Sequence, residues 1–275
     1  MVSPRAAVVL HLVAAASLAV APSNGDEPAY GYAPGSANGP ENWGRLSPAY
    51  KLCGEGKKQS PIDIVTKQAV SSPNLDSLTR TYAAANATLI NDGHDIMMRF
   101  EGKVGTITVN GKVYSFVKVY WHSPSEHTIN GQRFPLEMHL VHKSDDGNLA
   151  VIAILYQYGA PDSFYFQFKK KLAEMAKEKC NFAEESSQVA AGLVHLRSLQ
   201  KRTGNYFRYT GSLTTPPCSE NVVWNVLGKV RQIAKEQVDL LTAPLPAKDS
   251  RPTQPLNGRA VQFYNPTNST VSFQV

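Results

Sequence analysis

Phe116 to His142 reads FVKVYWHSPSEHTINGQRFPLEMHLVH and holds four of the chain's seven histidines. Its first part belongs to a β-branched and aromatic run, KVYSFVKVYWH at 112–122. Alternation along a strand sends Phe116, Lys118, Tyr120 and His122 to one face and Val117, Val119 and Trp121 to the other. A second strand over 134–142 places Glu137, His139 and Val141 on one face. If the two pair as antiparallel neighbours, Tyr120, His122 and His139 meet. Neutral imidazoles converging with a carboxylate behind one of them is how proteins build zinc sites, because the carboxylate fixes the tautomer and orientation of its histidine. His127, His142 and His195 read instead as hydrogen-bonded structural residues, since a metal site demands convergent ligands.

Around this stretch lie further short apolar runs, IDIV at 62–65, TITV at 106–109 and LAVIAILYQY at 149–158, separated by turn residues. Asn110-Gly111 reads as a tight hairpin turn, because both residues tolerate positive φ. Asp162 can cap a helix running to about Lys179, and Gln188 to Gln200 carries a second stretch of helix-like apolar spacing. No repeat is present. The pattern predicts a mainly β (α+β) chain, a largely antiparallel sheet with short helices around it.

At 275 residues, 42% hydrophobic and 18% charged, the chain is long enough for one sizeable core and too apolar for disorder. Its opening residues, MVSPRAAVVLHLVAAASLAVAPS, place Arg5 before an apolar run that ends in the small-residue pattern Ala19, Val20, Ala21. This predicts a signal peptide over residues 1–21, the run being shorter than the roughly 20 residues of a membrane span. An irregular lead-in over 22–29, a domain over 30–265 and a tail over 266–275 follow, and no later segment is long and apolar enough to span a bilayer. Cleavage removes Arg5 and lowers the net charge from +6 to +5. That modest balance, with no basic stripe interleaved with aromatics, gives no reason to infer a nucleic-acid partner. Oligomeric state is not legible. Cys53, Cys180 and Cys218 allow one disulfide and one thiol in an oxidising compartment, and spacing alone does not choose the pair. Asn86 in Asn-Ala-Thr and Asn268 in Asn-Ser-Thr are glycosylation acceptors on a secretory route.

The strings NGPENW (38–43), QSPIDI (59–64), NDGHD (91–95), WHSPSEHTINGQRF (121–134), LEMHLVH (136–142), GSLTTPPCSE (211–220) and RPTQPLNGR (251–259) occur in an order that resembles the α-type carbonic anhydrases, plant secreted members in particular. The resemblance implies a twisted, mostly antiparallel ten-stranded sheet and a conical cleft in which three histidines hold zinc. The zinc activates a water that hydrates CO2 to bicarbonate. His122 and His139 match two of those ligands, but Tyr120 stands at the third, and Lys118 replaces the glutamine that usually braces it. Ionising a phenol from its ordinary pKa of about 10 costs roughly 4 kcal/mol at pH 7, and a lysine beside the site repels a dication.

The remaining carry-over is complete. Thr214 matches the threonine that orients the activated water, itself oriented by Glu126, and Thr215 follows it. Glu137 matches the partner of His139, and His94 the proton shuttle, a role its near-neutral pKa suits. Val141, Val151, Leu213, Val222 and Trp224 match the apolar wall that receives CO2, although composition alone reads them as core. The resemblance also pairs Cys53 with Cys218 and leaves Cys180 free. The reading is a secreted carbonic anhydrase family protein, a lyase by family, with hydration impaired at a degenerate zinc site. The alternatives are an active carbonate dehydratase using His122, His139 and Tyr120 or a water, and a binding or storage protein on the same fold, as related plant storage proteins are. A different enzyme in the cleft lacks support, because neither a GxSxG elbow nor a nucleotide-binding glycine pattern is present.

Overall fold

A computed structural model describes residues 29–177, 187–200, 204–245 and 248–266. The predicted signal peptide, Cys180, Asn268 and all but the first residue of the predicted tail lie outside these. The frame is a sheet whose continuous path runs Ser187–Val194, Ala85–Asn91, Ile96–Phe100, Lys112–His122, Leu136–Lys143, Leu149–Tyr158, Val222–Leu227, Tyr206–Gly211, Gln262–Tyr264, Val70–Ser71. Thr106–Val109 pairs with Lys112–His122, and Arg231–Ile233 with Leu149–Tyr158. Most neighbours are antiparallel; Leu149–Tyr158 with Val222–Leu227 is a parallel exception. The expected mostly antiparallel sheet with short helices is present, with twelve strands among the described residues where ten were expected, because Thr106–Val109 and Arg231–Ile233 add to the ten of the path.

The central strands carry apolar side chains on both faces. One face, with Met98, Trp121, Leu140 and Ile152, packs under the helices through Phe164, Phe168 and Leu172. The other, with Tyr120, Val141, Val151, Phe207 and Trp224, forms the second core, against which the site is built. The Asn110-Gly111 hairpin forms as read, with φ of 51° and 75° at the two positions.

Three readings are corrected. Gln188 to Gln200 is not helical: Ser187–Val194 is the edge strand against Ala85–Asn91, with a register shift between Ala190 and Gly192, and a short 3-10 turn at Arg197–Gln200 follows. The bulge breaks the alternation that marks a strand and leaves Val189, Leu193 and Leu196 at helix-like spacing. The helix from Asp162 is capped by that residue, whose Oδ1 accepts the Phe164 amide at 2.8 Å, but it divides into Ser163–Phe166 and Lys169–Met175. Phe116 does not share a face with Tyr120, because Val117 is the extra residue of a bulge: Phe116 faces His142 while Lys118 faces Val141. The bulge moves Phe116 into the core with Val119 and Trp121.

Candidate functional site

Strand register supplies the centre of the site. Tyr120 lies directly opposite His139, and His122 opposite Glu137. The Tyr120 ring meets both imidazoles edge-on, its centroid 5.1 Å from that of His122 and 4.9 Å from that of His139, and the imidazole centroids are 5.1 Å apart. Tyr120 is buried. Burial, then the Glu126 and Asp95 carboxylates, hold its phenol well above the ordinary pKa, and the neighbouring Thr214 offsets only part of this. Lys118 is half-buried on the same side, with Nζ 5.2 Å over the Tyr120 ring and 4.0 Å from Met97 Sδ. A neutral phenol beneath a lysine is a poor zinc donor, so the set Tyr120, His122 and His139 does not fit the metal.

The two histidines are oriented from behind. Glu137 Oε1 accepts from His139 Nε2 and from His127 Nδ1, each at 2.6 Å, and its Oε2 accepts the backbone amides of Glu126 and His127, each at 2.8 Å. Burial alone opposes ionisation of Glu137, but His127 and His139 reverse this and hold it well below the usual carboxylate range. His139 is pushed down by burial, with Glu137 opposing. His127 continues to the Tyr209 hydroxyl at 2.6 Å, and His142 bonds the Tyr82 hydroxyl at 2.7 Å and the Ala150 carbonyl at 3.1 Å. The exposed His195 joins no candidate metal group among the described residues.

His122 sits in a more acidic place than its sequence neighbours announce. Nδ1 donates to the Asp249 carbonyl at 2.5 Å, with Asp95 Oδ1 at 3.6 Å and Asp249 Oδ2 at 3.9 Å, and Nε2 lies 3.4 Å from Glu126 Oε2. Burial disfavours the imidazolium, but Glu126, Asp95 and Asp249 outweigh it and push the pKa up to about 9. Asp95 and Asp249 are themselves raised, chiefly by burial, to about 7 and about 8. Neither entered the sequence reading: positions 95, 122 and 249 are joined only by the fold, and Asp95 drew no notice within NDGHD.

The remaining expected residues are placed as follows. Thr214 is fully buried and Thr215 half-buried, but Glu126 does not hold Thr214: its Oε1 accepts the Arg251 amide at 3.0 Å, and its Oε2 accepts no hydrogen bond from the described residues. Val141, Val151, Val222 and Trp224 share one apolar cluster with Tyr120, and Leu213 packs against it. His94 stacks on Tyr30 with centroids 4.0 Å apart, at the edge of a cavity of about 460 Å³ that Lys248 and Asp249 also line. Burial lowers its pKa, against the pull of Asp92. Cys53 and Cys218 are joined, with Cα atoms 5.0 Å apart. Arg251, which sequence reasoning also passed over, donates from Nη1 to Gln59 Oε1 and the Ser60 carbonyl and from Nη2 to the Cys53 carbonyl, each at 2.8 Å. Asn86 is exposed on its strand and donates to Glu101 Oε2 at 3.2 Å.

Residues 38–265 match the model of the eukaryotic-type carbonic anhydrase family. Alpha carbonic anhydrase 7 of Arabidopsis thaliana is 42% identical over 88% of this chain and 86% of its own. Dioscorin DB3L of Dioscorea polystachya is 40% identical over 87% of each. Among solved structures, a dioscorin complexed with ascorbate superimposes with a TM-score of 0.83 at 37% identity, covering 88% of this chain and 100% of that one. A hyperthermostable carbonic anhydrase from an active hydrothermal vent chimney gives 0.75 at 32% identity, covering 86% and 100%.

Proposed function

We propose that this chain, which belongs to the eukaryotic-type carbonic anhydrase family, is a secreted member whose hydration of CO2 is weak or lost because Tyr120 takes a zinc ligand's place. One observation carries the reading: a buried, neutral phenol stands between His122 and His139 where the resemblance calls for a third imidazole. In the family zinc supplies the activated water for hydration. What the chain's own residues contribute is a positioned remainder. Glu137 fixes His139, the Asp249 carbonyl fixes His122, Val141, Val151, Val222 and Trp224 form an apolar wall, and the half-buried His94 lines a cavity against Tyr30. The Cys53–Cys218 bridge is consistent with the secretory route that the N-terminal residues predict.

A binding role accompanies impaired catalysis. It is favoured by the open cavity beside Tyr30, His94 and Lys248 and by the likeness to a dioscorin solved with ascorbate. CO2 hydration by the purified chain, beside the Lys118→Gln, Tyr120→His double variant, tests the catalytic reading. Activity in the natural chain equal to that of the double variant contradicts it. Binding of a small organic acid, ascorbate first, measured by calorimetry and weakened in Lys248→Ala, tests the companion.

A further inference from the structure

Three groups of histidine and carboxylate residues bring candidate ligand atoms within 4.8 Å of one another among the described residues: His122 with Glu126 and His139, His127 with Glu137 and His139, and Asp95 with His122 and Asp249. Hydrogen bonding separates them. In the second group Glu137 already accepts four donors, and two of these are the histidine nitrogens a cation would need. In the third, His122 Nδ1 is bonded to the Asp249 carbonyl and Asp95 Oδ1 accepts the Tyr32 hydroxyl at 3.4 Å. In the first, His122 Nε2, Glu126 Oε2 and His139 Nδ1 are all buried and, among the described residues, none has a hydrogen-bond partner, although His122 Nε2 and Glu126 Oε2 face each other as an ion pair at 3.4 Å. Native proteins rarely leave such atoms unmatched, and three converging on one point ask for a ligand.

Chemistry narrows what that ligand is. A backbone carbonyl only accepts, so His122 Nδ1 carries a proton and directs Nε2 into the group. Glu137 Oε2 accepts two backbone amides, which can only donate, and its Oε1 accepts from His139 Nε2, so that nitrogen carries a proton and Nδ1 presents its lone pair. Glu126 adds a carboxylate oxygen whose partner oxygen is fixed by the Arg251 amide. Two imidazole nitrogens and one carboxylate oxygen are a donor set that zinc accepts, with a fourth position left for water. We propose that Glu126, not Tyr120, completes a two-histidine, one-carboxylate site for zinc or a similar divalent cation in this chain. A cation entering there replaces the Nε2 proton of His122. The proposal rests on the reading that Tyr120 is not a ligand. It adds that metal binding survives while hydration suffers, because Glu126 faces the metal group and not Thr214.

The test uses the full secreted chain, stripped with a chelator and titrated with cobalt(II), whose visible absorption reports its ligand set, and with zinc by competition. The wild type is expected to bind one ion. Tyr120→Phe is expected to keep the affinity within about threefold, and Glu126→Gln, which retains Oε1 for the Arg251 amide, to lose more than the roughly 10- to 100-fold typical of outer-shell changes. Copper(II) loading of the wild type gives a second reading that needs no variant, since a phenolate ligand adds an intense charge-transfer band and a carboxylate does not. Absence of binding in the wild type overturns this inference and leaves impaired catalysis standing. Loss of the ion in Tyr120→Phe, with a phenolate band, overturns both. Retention in folded Glu126→Gln overturns the ligand assignment alone.

Discussion

Glu137 is where one substitution separates two physical accounts of the site. Its carboxylate is fully buried and accepts four hydrogen bonds, two from backbone amides and two from imidazoles. Glu137→Ala leaves four buried donors unmatched at about 1–3 kcal/mol each, a total of roughly 4–12 kcal/mol, comparable with the whole stability of a domain. Glu137→Gln is different in kind. Its one oxygen is needed by the two backbone amides, which can only donate. Its amide nitrogen then faces His127 and His139, and both can accept by moving a proton to the other ring nitrogen. Two charge-assisted bonds become neutral ones, a loss of about 2–4 kcal/mol. The cost falls on function, because His139 then carries its proton on Nδ1, the atom that faces Glu126 and His122. Equilibrium unfolding in urea at pH 7 measures the first effect, and nitrogen-15 NMR of the histidine rings the second. The reasoning is refuted if Glu137→Gln is as unstable as Glu137→Ala, or if it folds with the His139 tautomer unchanged.

The Cys53–Cys218 bridge spans a sequence separation of 165, so in the chain-entropy account the double Cys→Ser variant loses about 5 kcal/mol; an unfolding midpoint close to the parent's contradicts this. His142 is buried neutral, its pKa pushed down to about 3 chiefly by burial. The unfolded chain therefore binds a proton below about pH 6.5 that the folded chain refuses, and stability falls by about 1.4 kcal/mol per pH unit on that account. Because Asp95 and Asp249 titrate in the opposite sense, the check is a difference: the stability of the parent minus that of His142→Gln falls by about 1.4 kcal/mol per unit as the pH drops from 6 to 4, and parallel profiles contradict the assignment. Arg251→Lys keeps the charge but loses the fork that ties Gln59, Ser60 and Cys53 together. It is expected to cost about 3 kcal/mol in urea unfolding, and a neutral effect is the contrary result.

What the sequence made legible were the features that repeat along the chain. Lys112–His122 and Leu149–Tyr158 have the bounds of their apolar runs, and the Asn-Gly turn closes the hairpin it predicts. Both errors of register came from bulges. An inserted residue at Val117 turned Phe116 to the other face, and the shift near Gly192 disguised an edge strand as a helix. Alternation assumes that no residue is extra, so it fails where a strand bends. At the site, residues close in sequence were read together: Tyr120 with His122, and Glu137 with His139. The acidic surroundings of His122 were not, because Asp95 and Asp249 reach it from separate loops. Glu126 was identified and given a partner that the structure does not give it.

The most direct test of the account is CO2 hydration measured with zinc content, on the natural chain and on Lys118→Gln, Tyr120→His. The account predicts little hydration by the natural chain whatever its zinc content, and a large gain when an imidazole and its glutamine brace are restored. Efficient hydration by the natural chain, not increased in the double variant, contradicts it.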